Sequence, residues 1–310
     1  MTLFDSGPSR IFKDARWLQP LSKPPSGKPM CRDADLKFTA SFLSEVFRTG
    51  QARNLFISGK PGTGKTVCVR YLLSEINRYA QQSKTLVLAV YVNAGRTRTP
   101  YYTMLEIVKG LGLKVPEAGW QIFRLKRAFE NTLREKSVVI AIDEVDDIIY
   151  KEREPIVYYL NRQPKTTLIL VSNKIEDATQ LPERALSTLQ PRLLMLEPYT
   201  FKETKKILKE RVEHAFKKGV ISDKLLNRVA KISSKSGDIR SGFSILLSAG
   251  LSAERTGKSK IDAEDVQSAV KNATRLEILK KIDEIRKQVE RIHKKRKNGN
   301  SSFSKKKDWL

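Results

Sequence analysis

Eight consecutive residues, Gly59-Lys60-Pro61-Gly62-Thr63-Gly64-Lys65-Thr66, carry the spacing G-x-x-x-x-G-K-T. They follow the apolar run Leu55-Phe56-Ile57 and precede Val69, Leu72, Leu73 and Ile76, which fall on one helical face. A strand, a glycine-rich turn and a helix start in that order form a phosphate-binding (Walker A) loop. The glycines let backbone N–H groups turn towards a polyphosphate, and the helix start contributes its own unpaired donors. In this reading the cradle runs from Gly59 to Val67. Lys65 reaches the β- and γ-phosphates and the Thr66 hydroxyl faces Mg²⁺.

A second constellation complements the first. The apolar run Val138-Val139-Ile140-Ala141-Ile142 ends on Asp143-Glu144. An aspartate placed after such a strand orients Mg²⁺, and the adjacent glutamate aligns and deprotonates the attacking water. Asp146 and Asp147 follow, at a spacing that places them on the exposed end of the element. Other triphosphate chemistries fit less well. Asn173-Lys174-Ile175-Glu176 departs from the guanine-reading N-K-x-D at its last residue, and no D-x-x-G begins at Asp143. A small-molecule kinase needs neither the acidic pair nor a large positive charge. Asp143-Glu144-Val145-Asp146 has the form of a helicase D-E-x-D box, without a second ATP-clamping domain to accompany it.

These residues require a scaffold that brings strand ends together. Thr85–Asn93, Val138–Ile142 and Thr167–Ser172 are nearly continuous in apolar and β-branched residues, as strands buried on both faces should be. Helical spacing separates them, at 101–111 and 120–133, which predicts a parallel sheet with helices on both faces. From Thr200 onwards the pattern is helical only. Thr200 and Glu203 form a capping box for a helix to Phe216, Ser222 and Asp262 cap two others, and a further helix spans about Ile239 to Leu251. Ile278, Ile282, Ile285, Val289 and Ile292 trace a short heptad seam, followed by a Lys/Arg-rich end. The expected organisation is a lead and first helix (1–50), a nucleotide-binding core (51–199), a helical lid (200–274) and a basic helical tail (275–310). The proline-rich lead either wraps the core near the nucleotide base or runs free.

Lys and Arg total 59 against 34 Asp and Glu, giving a formal charge of +25. Such an excess of one sign attracts polyanions, and DNA or RNA is the leading candidate. No apolar run approaches bilayer length, and no signal-peptide core follows the start, so the expected location is cytoplasmic and nucleoid-associated. The two cysteines, Cys31 and Cys68, have no metal-like spacing and are expected to be small buried groups.

The order of phosphate loop, Asp-Glu strand, Ser-Asn strand end and helical lid resembles the AAA+ ATPases. Shorter strings narrow the resemblance to the archaeal origin-recognition and cell-division-cycle initiator family. They are Tyr91-Val92-Asn93 with Arg98-Thr99-Pro100-Tyr101, Ile142-Asp143-Glu144-Val145-Asp146, Val171-Ser172-Asn173, Glu197-Pro198-Tyr199 and Gly237-Asp238-Ile239-Arg240. The likeness covers roughly residues 10–273. It implies an α/β AAA+ core with a small all-α lid, ATP and Mg²⁺ as cofactors, and slow, switch-like ATP hydrolysis in replication initiation. It also implies roles for single residues. Asn173 matches the first sensor near the γ-phosphate, and Arg240 matches the second, brought by the lid onto the same nucleotide. Arg184 occupies the place of the arginine finger that completes a neighbouring subunit's site, with Arg192 as the competitor. Arg32 falls near the adenine-proximal box. The stretch from Gly112 to Arg127, with Trp120, Arg124, Lys126 and Arg127, occupies the place of a helical motif that grips the DNA backbone. Implied partners are duplex DNA held largely through its backbone, the replicative minichromosome-maintenance helicase and a neighbouring AAA+ subunit or second copy of the chain. The stretch after Ala273 is too short for the family's winged-helix domain. Two other functions fit the same residues: a clamp-loader-like or remodelling ATPase, and a non-catalytic paralogue that only holds ATP.

Overall fold

The structure is a computed structural model that describes residues 8–20, 22–116, 119–149, 156–181 and 183–273. The heptad seam and basic tail expected beyond residue 274 lie outside the described residues.

Chain order runs through α1 (Asp33–Thr49), β1 (Leu55–Ser58), α2 (Lys65–Ser83), β2 (Val87–Asn93), α3 (Ala94–Thr97), α4 (Pro100–Gly110), α5 (Ile122–Glu135) and β3 (Ser137–Asp143). It continues with α6 (Asp146–Ile149), α7 (Ile156–Asn161), β4 (Thr166–Val171), α8 (Glu183–Leu189) and β5 (Arg192–Met195). The five strands form one sheet in the order β2-β3-β4-β1-β5, and every pairing is parallel. Alternate residues of the central strands serve opposite faces. Ile57, Val139, Ala141, Ile169 and Val171 pack with α1 and α2, while Phe56, Val138, Ile140, Ile142, Leu168 and Leu170 pack with α4, α5 and α7. Both faces are therefore dry, and each fully buried Val, Ile or Leu contributes on the order of 1.5–3 kcal/mol.

Two strands depart from the expectation. The run beginning at Thr85 forms its strand only from Val87, and β2 is an edge strand with Leu88, Ala89, Tyr91 and Asn93 half-buried. Apolar continuity records helix cover and not a strand's place in the sheet, so the edge position left no mark in the sequence. β5 was not expected. It is four residues long, follows Gln190-Pro191 and leaves Leu193 and Met195 about half exposed.

The second layer is helical: α9 (Phe201–Ala215), α10 (Asp223–Ser236), α11 (Ile239–Arg255) and a helix over 263–273. The Thr200–Glu203 capping box forms as expected, with the Thr200 amide donating to the Glu203 carboxylate at 2.8 Å. Ser222 and Asp262 cap the helices they precede. α11 continues one turn beyond Leu251, to Arg255.

The first fifty residues divide between the layers. Ile11, Phe12 and Leu18 belong to the core of the helical domain. The amides of Lys13 and Asp14 donate to the Ala215 carbonyl, and the Lys217 amide returns a bond to the Ile11 carbonyl. Arg211 of α9 is buried and donates to the carbonyls of Trp17 (3.2 Å), Ser22 (3.0 Å) and Lys23 (2.7 Å) and to Ser22 Oγ (2.9 Å). The proline-rich lead is thus held on the lid, whereas α1 packs on the sheet.

Candidate functional site

All parallel strands present their carboxyl ends at one edge, and ligands of such sheets bind there, near the place where strand order reverses. In this sheet β1 lies between β4 and β5, and the loop after Ser58 opens at that edge. Gly62 and Gly64 have φ of 80° and 90°, the left-handed region that glycine enters without a Cβ clash. Both also face close neighbours. A Cβ at Gly64 would lie 2.5 Å from Tyr199 Oη, and one at Gly62 would overlap Asp238 Oδ1 and lie 2.8 Å from Asp238 Cα. The loop is thereby shaped by Tyr199, just before α9, and by Asp238, which caps α11.

Lys65 begins α2 and is buried. Its ammonium donates to the carbonyls of Gly59 (2.5 Å) and Lys60 (3.1 Å) and to Asn173 Oδ1 (3.0 Å). Burial lowers its pKa; Asp143 opposes that shift and Arg240 reinforces it. Thr66 Oγ1 donates to Asp143 Oδ2 at 2.6 Å, and the Tyr91 hydroxyl donates to the same oxygen at 2.8 Å. Asp143 Oδ1 accepts the Glu144 amide at 3.0 Å. The Tyr91 phenol is pushed up to about 12, first by burial and then by Asp143, and the Arg70 guanidinium lies 4.2 Å from its ring centre.

Glu144 has φ of 55°, which an L-residue adopts only where its surroundings hold it. Its exposed carboxylate turns towards α3, where a Cβ on Gly95 would overlap Oε2. Asp146 and Asp147 are half-buried, not exposed as the spacing suggested. Asp146 accepts from Ser172 Oγ at 3.2 Å, and Ser172 Oγ also bonds Asp177, so these carboxylates brace the strand end that carries Asn173.

Across the pocket, Arg240 at the start of α11 is paired with Asp238. Arg184 stands exposed on α8. Arg192 begins β5 opposite Leu55, at the amino edge of the sheet, and its guanidinium lies 5.8 Å from the Phe38 ring centre. Lys65, Thr66, Asp143, Asn173, Glu144 and Arg240 therefore converge on one opening, while Arg192 lies at the opposite edge of the sheet. The donor set suits a hydrated Mg²⁺: a hydroxyl and a carboxylate oxygen meet, and an ion that keeps most of its waters needs few protein ligands.

Residues 205–271 match the Cdc6 AAA+ ATPase-type lid domain, and residues 48–181 match an AAA domain. An ORC1-type DNA replication protein of Sulfurisphaera tokodaii is 32% identical over 270 residues, covering 84% of this chain and 67% of the relative. The chain belongs to the ORC1-type DNA replication protein family. A second member, from Pyrococcus abyssi, is 30% identical over 275 residues, covering 84% of this chain and 65% of that protein. The chain thus spans about two thirds of the length of these relatives. The ORC1 protein of Aeropyrum pernix, solved in complex with DNA, superposes with a TM-score of 0.73 at 28% identity, over 86% of this chain and 71% of that one. The chain is accordingly an AAA+ ATPase by family, with an α/β core and a helical lid. None of its described helices is long and apolar enough to cross a membrane.

Several contacts of the site escaped sequence reasoning, although the family resemblance had placed Arg32 near the adenine-proximal box. Arg32 is 7% exposed and donates to the carbonyls of Thr63 (2.8 Å) and Glu197 (2.5 Å), while its guanidinium lies 4.2 Å from the Tyr199 ring centre. It ties the phosphate loop to the segment at Glu197 and Tyr199 that leads into α9. Tyr91, Gly95 and Asp238 each hold a residue that chemistry alone had identified. Tyr91 and Asp238 stand in the strings that carry the family resemblance, and Asp238 also left a local signal, a carboxylate two residues before an arginine. Of the cysteines, Cys68 is buried as expected and Cys31 is half-buried.

Proposed function

We propose that this initiator is an ATP-dependent DNA-binding switch, in which nucleotide state sets the grip on duplex DNA. The observation that carries this is the meeting of Lys65, Thr66, Asp143 and Asn173 at the carboxyl edge of the sheet, under a lid that brings Arg240 to the same opening. The loop amides from Gly59 to Val67 and Lys65 bind the phosphates. Thr66 and Asp143 hold Mg²⁺, whose charge offsets that of the phosphates. Tyr91 fixes Asp143 in its orientation. Glu144 accepts the proton of the attacking water, Asn173 orients that water or the γ-phosphate, and Arg240 answers the charge of the same phosphate. Arg184, exposed on α8, serves a neighbouring subunit's nucleotide. Hydrolysis then relaxes the closed lid, as in a slow switch and not a motor. The proposed setting is the nucleoid, with the minichromosome-maintenance helicase as the protein partner.

DNA contact draws on the overall charge and on α5. Phe123 is 55% exposed on that helix, and Arg124 and Arg127 stand exposed beside it, whereas Leu125 and Phe129 are buried against the sheet layer. Lys126 is taken up at 4.3 Å from the Tyr159 ring centre. An Arg124→Ala, Arg127→Ala double variant is expected to weaken binding of cognate and random duplexes alike, with the salt slope falling by about two. Fluorescence anisotropy at several salt concentrations measures this, and an unchanged slope would remove α5 from the interface.

A further inference from the structure

We propose that Asp238 restrains the preference of this site for a triphosphate over a diphosphate, by holding Arg240 in an ion pair that a γ-phosphate must displace. The proposal rests on the nucleotide reading above. Arg240 Nε donates to both Asp238 oxygens, at 2.9 and 3.1 Å, and Nη2 donates to Oδ2 at 2.6 Å. Oδ1 also accepts the Arg240 amide at 2.9 Å, so the same carboxylate caps α11. Its place over the loop is built in, since only a glycine at position 62 leaves room for it.

The charges around the pair explain what an incoming phosphate meets. Asp238 lies against Gly62 of the phosphate loop and holds Arg240, so the ion pair stands beside the loop that Lys65 closes, and the charges of Lys65, Arg240 and Glu144 influence one another. A ligand bearing a γ-phosphate can engage Arg240 only by taking it from a forked, charge-assisted contact. A diphosphate, ending short of Arg240, leaves that contact intact and feels only the carboxylate's charge. Binding of the triphosphate therefore exchanges one ion pair for another, and its affinity is reduced by what the exchange costs. The consequence is a site whose two nucleotide states stay close enough in affinity to be reset.

The bland role for Asp238 is helix capping alone, and the two roles separate cleanly. Asn caps a helix as well as Asp does, so Asp238→Asn removes the charge and keeps the cap. Asp238→Ser gives a second variant with a capping oxygen and no charge. Calorimetric titration of the full chain with Mg²⁺ and either ADP or the imido analogue of ATP reads the effect. Both variants are expected to bind the analogue about tenfold more tightly, with ADP changing by about twofold or less, allowing for the partial exposure of the pair. In an Arg240→Ala background, Asp238→Asn is expected to give no gain for the analogue. Equal shifts for ADP and the analogue, no shift for either, or a gain that survives Arg240→Ala would each overturn the proposal. Failure of the unaltered chain to bind either nucleotide would overturn the nucleotide reading beneath it.

Discussion

Glu144→Gln is expected to lower ATP turnover by about 10²–10⁴-fold while leaving nucleotide affinity within a few-fold of the original. The substitution keeps the shape of the side chain that lies against Gly95 and removes only its ability to take a proton. The φ of 55° at this residue turns its backbone away from the strand direction of Asp143, so the two adjacent carboxylates face different surroundings. Asp143 has its oxygens occupied by Thr66, Tyr91 and the Glu144 amide. Glu144 is the exposed one, free to meet water. Single-turnover phosphate release, with binding followed separately, measures the effect. A rate within a few-fold of the unaltered protein would remove Glu144 as the base.

Lys65→Ala is expected to weaken ATP binding by about 100-fold, the loss of one or two charge-assisted hydrogen bonds to phosphate. In the structure the lysine's three donors are taken by two loop carbonyls and Asn173. The ammonium is thus held in place by the protein, and a phosphate meets a charge already positioned for it. Because burial disfavours that charge, its removal is expected to leave the thermal midpoint little changed, which separates a binding defect from unfolding. Equilibrium titration with an ATP analogue beside a thermal melt gives both values. Retained affinity would mean that phosphates do not lie against Lys65.

The parts of this account that were legible in the sequence are those in which chemistry and folding impose the same local pattern. The phosphate loop must be glycine-rich and must join a strand to a helix. β1, β3 and β4 are covered on both faces, so their apolar runs are unbroken. The capping box of α9 is a four-residue signal. What stayed hidden is closure in space between distant segments. Residues 11–23 read as an irregular lead because their partner, α9, lies nearly two hundred positions away. Arg32 carries no local mark of its bond to Thr63, and β5 is too short and too exposed to show a period. Asp238 is readable as a helix cap, but its contact with Gly62 emerges only when the lid folds back over the loop.

The central claim is that nucleotide state governs DNA binding, and footprinting tests it most directly. The full chain is titrated onto cognate and random duplexes at fixed salt, with Mg²⁺ and either no nucleotide, ADP or the imido analogue of ATP. The account predicts stronger or more extended protection with the analogue than with ADP, and loss of that difference in Lys65→Ala. Identical affinity and protection under all three conditions would contradict it.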